Sequence, residues 1–256
     1  MKVLITGTDG FIGKRLKKSF TNALEFKDED IIDVNWLDKE TPEAVFHVGA
    51  CSNTLETDVN YIMKVNFEST KVLVDWCKQN KRPIIYSSSA ASYGVNGKYP
   101  SNLYGWSKYT AEQYVISNKG VALRYFNVYG PGEEHKGNMS SMAYQMFKSG
   151  QATLFPGEPK RDFIYIDDVV AANIYALKYY GTLSGNNYDV GLGKSTTFET
   201  IAEYLKIPYS YYPQEKIPEG YQMYTCSDSK KWMPGWAPAY DIKTGLKSSR
   251  ESWQIV

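Results

Sequence analysis

A chain of 256 residues with a formal net charge of +1 has material for one large domain, or for one domain with a small appendage. Its charge gives no reason to expect nucleic acid or an acidic membrane as a partner. Three widely spaced cysteines (Cys51, Cys77 and Cys226) without a C-x-x-C, and only two histidines (His47 and His135), argue against a disulfide framework, a metal centre or a Ser-His-Asp triad, and fit a reduced, cytoplasmic setting. No stretch approaches about 18 apolar residues, so no membrane span is expected, and the apolar N-terminal run ends in Thr and Gly like a first strand, not a signal peptide.

Residues 2–6 form that strand. They lead into Gly7, Gly10 and Gly13 and then a helix to about residue 20. Strand, glycine loop and helix in that order is the context a dinucleotide fingerprint requires. The glycines let the backbone approach a pyrophosphate, and the helix N-terminus offers N–H groups. The spacing is G-x-x-G-x-x-G, not the standard G-x-G-x-x-G, and a plain tight turn is the alternative. Residues 24–26 read as a second strand, with Lys27 (suited to a 2′-phosphate) or Asp28 (suited to a free 2′-hydroxyl) at its tip; both stay open. Glu25, Glu29 and Asp30 read as solvated, and Asp33 is a candidate for the adenine amino group. Residues 44–49 are a third buried strand ending in Gly49, Ala50, Cys51 and Ser52, small enough to pass close to a cofactor. Residues 61–80 read as one long helix, with Met63, Phe67, Val72, Leu73 and Trp76 at helical spacing and Asn66 as a polar interruption able to brace the sheet loops. Residues 83–88 are a fourth strand.

That strand opens the stretch on which the chemistry turns, YSSSAASYGVNGKYPSNLYGWSK over residues 86–108. Ser89 stands at the strand end. Tyr104 and Lys108 are four apart at the start of a helix and share one face. A free tyrosine has a pKa of about 10, and a cation held nearby lowers it. Tyr104 can then exchange a proton with a substrate hydroxyl, Ser89 can hydrogen-bond the same oxygen, and Lys108 can also hold a cofactor ribose. In a chain with 22 tyrosines the Y-x-x-x-K spacing recurs at Tyr144/Lys148 and Tyr212/Lys216. Only Tyr104 follows a serine-tipped strand.

Residues 121–128 are a fifth strand, followed by the turn Tyr129-Gly130-Pro131-Gly132. A helix over 139–148, a short strand from 154, a turn at Pro156-Gly157 and a strand over 161–166 come next. Asp167 and Asp168 signal the start of a helix to about 180. A strand and turn over 188–193, a helix over 197–205 and a last helix from about 242 complete the reading. From 207 on the chain is rich in Pro, Tyr and Trp, with weak periodicity. The alternation predicts an α/β fold, a doubly wound parallel sheet of the Rossmann type with a small C-terminal substrate-binding region. Residues 1–150 are expected to bind the dinucleotide, with about 162–195 returning to that domain, and 151–256 to be mainly a substrate-binding lid.

These motifs resemble one known family. The Gly7/Gly10/Gly13 loop, Ser89, Tyr104-x-x-x-Lys108 and the RDFIYIDDV run are similar to the extended short-chain dehydrogenase/reductases that act on nucleotide-diphosphate sugars. FHVGACSNTLETD (46–58), NLYGWSK (102–108), LRYFNVYGPGEEHKGNMSSMAYQ (123–145), KRDFIYIDDV (160–169) and GYQMYTCSD (220–228) bring it nearest the branch that inverts C6″ of an ADP-linked heptose. The resemblance implies an epimerase with a tightly bound NADP (NAD being the alternative), a nucleotide-diphosphate-sugar substrate, and a homo-oligomer. By position it implies that Gly7, Gly10, Phe11, Ile12, Gly13, Gly49, Ala50, Cys51, Ser52, Asn66 and Val128 line the cofactor, together with Tyr104, Lys108 and Lys136. It implies Ser89, Tyr104 and Lys108 as a catalytic triad with Lys136 as a second base. Ser89, Asn127, Asn138, Gln145, Phe155, Gly157, Arg161 and Tyr221 fall on or beside substrate positions, Arg161 as a diphosphate fork or in a salt bridge with Asp162 or Asp168. Segment 22–42 is shorter than the family's, Asn138 replaces a small Ser and Gln145 a His.

Related chemistries leave other marks. A 4,6-dehydratase needs an acidic pair after Ser89, where Ala90 and Ala91 stand. A galactose-type 4-epimerase leaves Lys136 idle, and a reductive epimerase pairs a cysteine with His135, for which no cysteine is placed. A non-catalytic dinucleotide binder typically lacks the Tyr or the Lys that this chain keeps.

Overall fold

The computed structural model describes residues 1–26, 33–95 and 97–254. In chain order they form β1 (Val3–Thr6), α1 (Phe11–Lys17), β2 (Ala23–Phe26), α2 (Val34–Glu40), β3 (Ala44–His47), α3 (Val59–Met63), α4 (Ser69–Gln79), β4 (Ile84–Ser89), α5 (Leu103–Ser117), β5 (Val121–Tyr125) and β6 (Asn127–Tyr129). There follow α6 (Met142–Ser149), β7 (Ala152–Leu154), β8 (Lys160–Tyr165), α7 (Ile166–Lys178), α8 (Tyr180–Leu183), β9 (Asn186–Val190), β10 (Ser195–Thr197), α9 (Phe198–Leu205), β11 (Tyr209–Tyr211) and α10 (Ile242–Trp253). Two compact units result: Met1–Tyr125 with Val170–Asp189, and Phe126–Val169 with Val190–Val256. Among the described residues no helix is long and apolar enough to cross a membrane.

The first unit is built on a sheet of order β2-β1-β3-β4-β5-β9, parallel at each pairing from β2 to β5. Parallel strands need cover on both faces, and alternate side chains divide between the two covers. Leu4, Val45, Tyr86 and Ala122 pack with Leu37 of α2, Leu73, Val74, Trp76 and Cys77 of α4, and Ala111 and Val115 of α5. On the opposite face Phe46 meets Phe20, just past α1, at 5.2 Å between ring centroids. There too the Tyr125 hydroxyl joins Ser87 to Asn173 of α7. This is the doubly wound sheet that the alternation of elements predicts.

Three differences from the sequence expectation have local causes. The expected helix over 61–80 is α3, a π-helical turn (Lys64–Glu68) and α4, and Asn66 lies in the π turn. The expected fifth strand ends at Tyr125, and residues 127–129 pair with β8 in a different sheet; a run of strand-forming residues with neither Gly nor Pro carries no clear mark of a change of sheet. Helix α2 was not anticipated in the acidic segment. Asp33 caps it by accepting from Asn35 N at 2.9 Å, and Trp76 Nε1 donates to Asp38 at 2.8 Å, so tertiary contact stabilises a seven-residue helix that is too short to stand alone.

The second unit holds a three-stranded sheet, β10-β8-β6, and a two-stranded sheet, β11-β7. Buried Asp162 on β8 accepts from Leu192 N, Gly193 N, Ser227 N and Ser227 Oγ at 2.7–3.0 Å, tying two irregular segments to the sheet. Asp168 accepts from Ala239 N and Tyr240 N, and Trp253 of α10 packs against Tyr144 and Phe147 of α6.

Candidate active site

Parallel order reverses between β1 and β3, the switch point at which α/β sheets take their ligands. Gly7 follows β1 with φ +68°, and a Cβ there would lie 2.7 Å from Gly49 Cα. A Cβ on Gly13 would lie 2.1 Å from the Gly7 carbonyl oxygen. Only glycine fits either place. Gly10 N donates to Gly7 O at 3.0 Å, and Lys14 N to Gly10 O at 2.9 Å, so the loop passes straight into α1, where Phe11 is buried and Ile12 half-buried. The unusual glycine spacing therefore builds an open backbone cradle that side chains would fill. Asp33 is the N-cap of α2, which is a structural use of its carboxylate. Lys27 and Asp28 lie outside the described residues.

Behind Gly49 runs a hydrogen-bonded chain that motif reading missed. Gly49 N donates to Thr6 Oγ1 (2.9 Å), Thr6 Oγ1 meets His47 Nδ1 (2.8 Å), His47 Nε2 meets Thr70 Oγ1 (2.9 Å), and Thr70 Oγ1 donates to Asn66 O (2.6 Å). The Thr70 proton is committed to Asn66 O, so Thr70 accepts from Nε2–H. Nδ1 then accepts from Thr6, and the network assigns a neutral Nε2–H imidazole. Burial, with a smaller contribution from Lys108, pushes His47 down to about 3. The Asn66 amide nitrogen donates to Cys51 O (3.1 Å) and Ser107 Oγ (2.8 Å), and Ser107 Oγ donates to Tyr104 O (2.8 Å). Asn66 thus braces the loop after β3 against α5. Its Oδ1 is buried without a hydrogen-bond partner among the described residues. An open glycine cradle and an orphaned acceptor beside it fit a bound dinucleotide. Cys51 is buried with Ile62 and Val65, Ala50 packs against that cluster, and Ser52 is exposed.

Helix α5 starts where Asn102 accepts from Gly105 N at 2.8 Å. Its first turn packs Leu103 and Tyr104 on Cys51, Ile62 and Val65. Ser89 Oγ accepts from Ala91 N at 3.1 Å and hydrogen-bonds the Tyr104 phenol. Desolvation raises that phenol, Ser89 pulls it down and Cys51 adds to the rise. The expectation that a nearby cation holds Tyr104 below its ordinary value is corrected here: burial dominates. Lys108 is 5% exposed, with Nζ 4.5 Å from the Tyr86 ring centroid. Desolvation pushes it down to about 7, against the fields of Cys51 and Glu112.

Glu112 continues the series 104, 108, 112 one turn further, a spacing that can be read from the sequence. Its buried carboxylate accepts from Arg124 Nε (2.8 Å), Arg124 Nη2 (2.5 Å), Ser88 Oγ (2.6 Å) and Asn187 Nδ2 (3.2 Å). The Arg124 guanidinium lies 4.4 Å from the Tyr93 ring, and Tyr93 donates to Asp189 at 2.8 Å. Four elements of the first unit (β4, α5, β5 and β9) are fastened beneath Ser89 and Lys108.

The remaining candidates belong to the second unit. Lys136 is in a 3₁₀ turn (Glu134–Met139); burial lowers its ammonium and Glu133 raises it. Asn127 is exposed and Val128 half-buried on β6, and Asn138 is exposed. Gln145 gives its amide hydrogens to Asn138 O and Ser140 O, so it shapes the Lys136 loop. Phe155 meets Tyr221 at 4.9 Å, and the Arg161 guanidinium lies 5.4 Å from the Tyr221 ring and 5.5 Å from that of Phe198. Gly157, exposed at φ +92°, faces Met223. Of the two readings of Arg161, no ion pair with Asp162 or Asp168 is found among the described residues, and those carboxylates accept from the donors named above. The guanidinium instead rests on aromatic faces.

Comparison with known proteins gives the family. The family model described as "NAD dependent epimerase/dehydratase family" matches residues 3–191. The chain is 34% identical to the ADP-L-glycero-D-manno-heptose-6-epimerase of Brachyspira hyodysenteriae over 310 aligned positions, covering 97% of this chain and 96% of that one. It is also 34% identical to the protein of the same name from Alkalilimnicola ehrlichii, covering 96% and 95%. An alignment longer than this chain means that these relatives carry segments it lacks. A crystal structure of the Helicobacter pylori ADP-L-glycero-D-manno-heptose-6-epimerase superposes with a TM-score of 0.87 at 26% identity, covering 100% of this chain and 96% of that one. By its sequence, and by a fold it shares with these relatives, the chain belongs to the NAD dependent epimerase/dehydratase family of enzymes.

Proposed function

We propose that the chain is a nucleotide-diphosphate-sugar epimerase that inverts C6″ of an ADP-linked glycero-manno-heptose by transient oxidation and re-reduction. What supports the reading is the hydrogen bond between Ser89, at the end of β4, and the Tyr104 phenol on α5, with Lys108 one turn further along the same helix, in the unit that also holds the glycine cradle. The first unit would hold the dinucleotide through Gly7, Gly10, Gly13, Gly49 and Asn66. In the second, Phe155, Arg161 and Tyr221 would hold the nucleotide-diphosphate, Arg161 as a planar donor to phosphate oxygens. The bound dinucleotide would accept and return a hydride.

The chain's own residues manage the proton. Tyr104 keeps its phenolic proton at neutral pH because it is desolvated, so it suits the acid role when the carbinol is re-formed. In the opposite direction Ser89 shares the substrate oxygen, and the charged form of Lys108 favours the phenolate. Inversion requires proton exchange on both faces of the carbinol, and Lys136 is our candidate for the second face. Of the two nicotinamide dinucleotides we favour NADP, which mass analysis of the nucleotide released from the purified protein would identify. Assembly into a homo-oligomer and residence in the cytoplasm complete the reading, the first checked by light scattering.

The test of function incubates wild type, Tyr104→Phe and Lys136→Met with ADP-, GDP-, UDP- and dTDP-sugars, including ADP-heptose, and follows C6″ and C4″ by NMR. Inversion at C6″ of ADP-heptose without net cofactor consumption is expected, with each variant slower by roughly 100-fold or more. Normal turnover by Lys136→Met rejects the two-base mechanism. Net consumption of NADPH makes the chain a reductase.

A further inference from the structure

We infer that Glu133 is the positioning residue of Lys136: its carboxylate closes the loop that carries Lys136 and serves as the counter-charge to its ammonium. The inference rests on the reading of Lys136 as the second base, and it is built wholly within the second unit.

Glu133 is 0% exposed. One carboxylate oxygen accepts from Gly130 N (3.0 Å) and Ser141 Oγ (2.9 Å), and the other from Ser141 N (2.5 Å). The two ends of segment 130–141 are thereby joined through a single side chain. Inside the closure, Lys136 N donates to Glu133 O at 3.0 Å, and Ser140 donates twice to Gly137 O. From α6, Gln145 donates to the carbonyls of Asn138 and Ser140. Gly137 takes φ 53°, ψ −126°, a reversal that lets so short a loop close. The chain thus carries Lys136 on a knot of fixed geometry.

A buried carboxylate is costly unless hydrogen-bonded or paired. Burial raises Glu133, and its three donors and Lys136 oppose the rise. Burial lowers Lys136, and Glu133 opposes that. The other titratable neighbours are Glu134 and His135 beside Lys136 in sequence and Tyr144 on α6, whose phenol is raised by burial and by Glu134 and Glu133. Glutamine at 133 would remove the charge and set an amide N–H against an N–H donor. Neutral isosteres therefore cannot do both jobs.

Two titrations decide the matter without substrate. In the holoprotein, the pH dependence of Lys136 acetylation, read by peptide mass spectrometry, should shift down by about one unit in Glu133→Gln. Reciprocally, Lys136→Met, at a more exposed position, should raise the Glu133 carboxyl as read by ¹³C NMR, so the proposal stays testable if Glu133→Gln does not fold. In turnover, Glu133→Gln should cost at least tenfold alone and nothing further in a Lys136→Met background. Unchanged Lys136 reactivity, an unmoved Glu133 carboxyl, or an equal loss in both backgrounds overturns the inference and leaves Glu133 a structural clamp. Normal turnover by Lys136→Met overturns the second-base reading instead, and the two titrations then still decide whether the pair exists.

Discussion

His47 should make this protein sensitive to mild acid. Its imidazole is neutral in the fold and is pushed down to about 3 from 6.5. In the unfolded chain it takes a proton below about 6.5. Between those values the unfolded state binds more protons, so stability rises with pH across the window and is lost as pH falls through it. The slope is about 1.4 kcal/mol per pH unit, and the loss from pH 7 to pH 5 is about 2 kcal/mol. That is a large part of a typical total of about 5–15 kcal/mol. Glu133, Asp162 and Asp168, which burial raises, act in the opposite sense, so wild type alone shows only a sum. His47→Gln isolates the term, since an amide can accept from Thr6 and donate to Thr70. Urea unfolding at pH 7, 6 and 5 should show the gap between wild type and variant closing by about 2 kcal/mol. A gap that does not change with pH refutes the reasoning. So does an imidazole signal, in a His135→Asn background that leaves one histidine, titrating near 6.5.

Arg124→Met would leave Glu112 buried with its cation gone and should cost about 3–5 kcal/mol in urea unfolding; the double variant with Glu112→Met should cost less than the single one. Gly13→Ala places a methyl 2.1 Å from the Gly7 carbonyl oxygen and should abolish cofactor retention, measured as nucleotide released per chain. Asp162→Ala takes the acceptor from Leu192 N, Ser227 N and Ser227 Oγ, and one of two acceptors from Gly193 N, and should destabilise the chain by at least about 3 kcal/mol, read in the same unfolding assay.

What could be read from the sequence was whatever depends on local order along the chain. The glycine loop, the serine-tipped β4 and the Tyr104/Lys108 pair each sit within one or two elements, and periodicity finds the elements. Most of what was missing involves partners far apart in sequence. Asp33 is a candidate for the adenine amino group, and its carboxylate also caps α2 by accepting from Asn35 N, a local use that motif reading did not supply. Val121 to Val128 looks like one strand because no Gly or Pro interrupts it, and only the pairing of β6 with β8 ends it. His47 contacts Thr6 and Thr70, 41 and 23 residues away, and no spacing rule spans such distances. Asn66 is the exception. A polar residue on an apolar helix needs hydrogen-bond partners, and that pointed to the loops that its amide nitrogen braces.

The correction at Tyr104 shows why a motif does not fix a pKa. Four-residue spacing places Lys108 on the face of Tyr104, and from spacing alone the ammonium should lower the phenol. The same packing that aligns the pair also buries it. Burial penalises both charged forms, raising the tyrosine and lowering the lysine to about 7, so the groups lose the charges through which they would have helped each other. Lys108 stands one turn before Glu112, whose field raises it, and Glu112 itself is neutralised by Arg124. Removing Arg124 would therefore expose Lys108 to an uncompensated carboxylate and raise it, strengthening its hold on the Tyr104 phenolate even as the fold weakens. An Arg124→Met protein that still folds at low temperature should consequently show its Tyr104-dependent activity rising at lower pH than wild type, and an unmoved pH profile would mean that Glu112 acts on the scaffold alone.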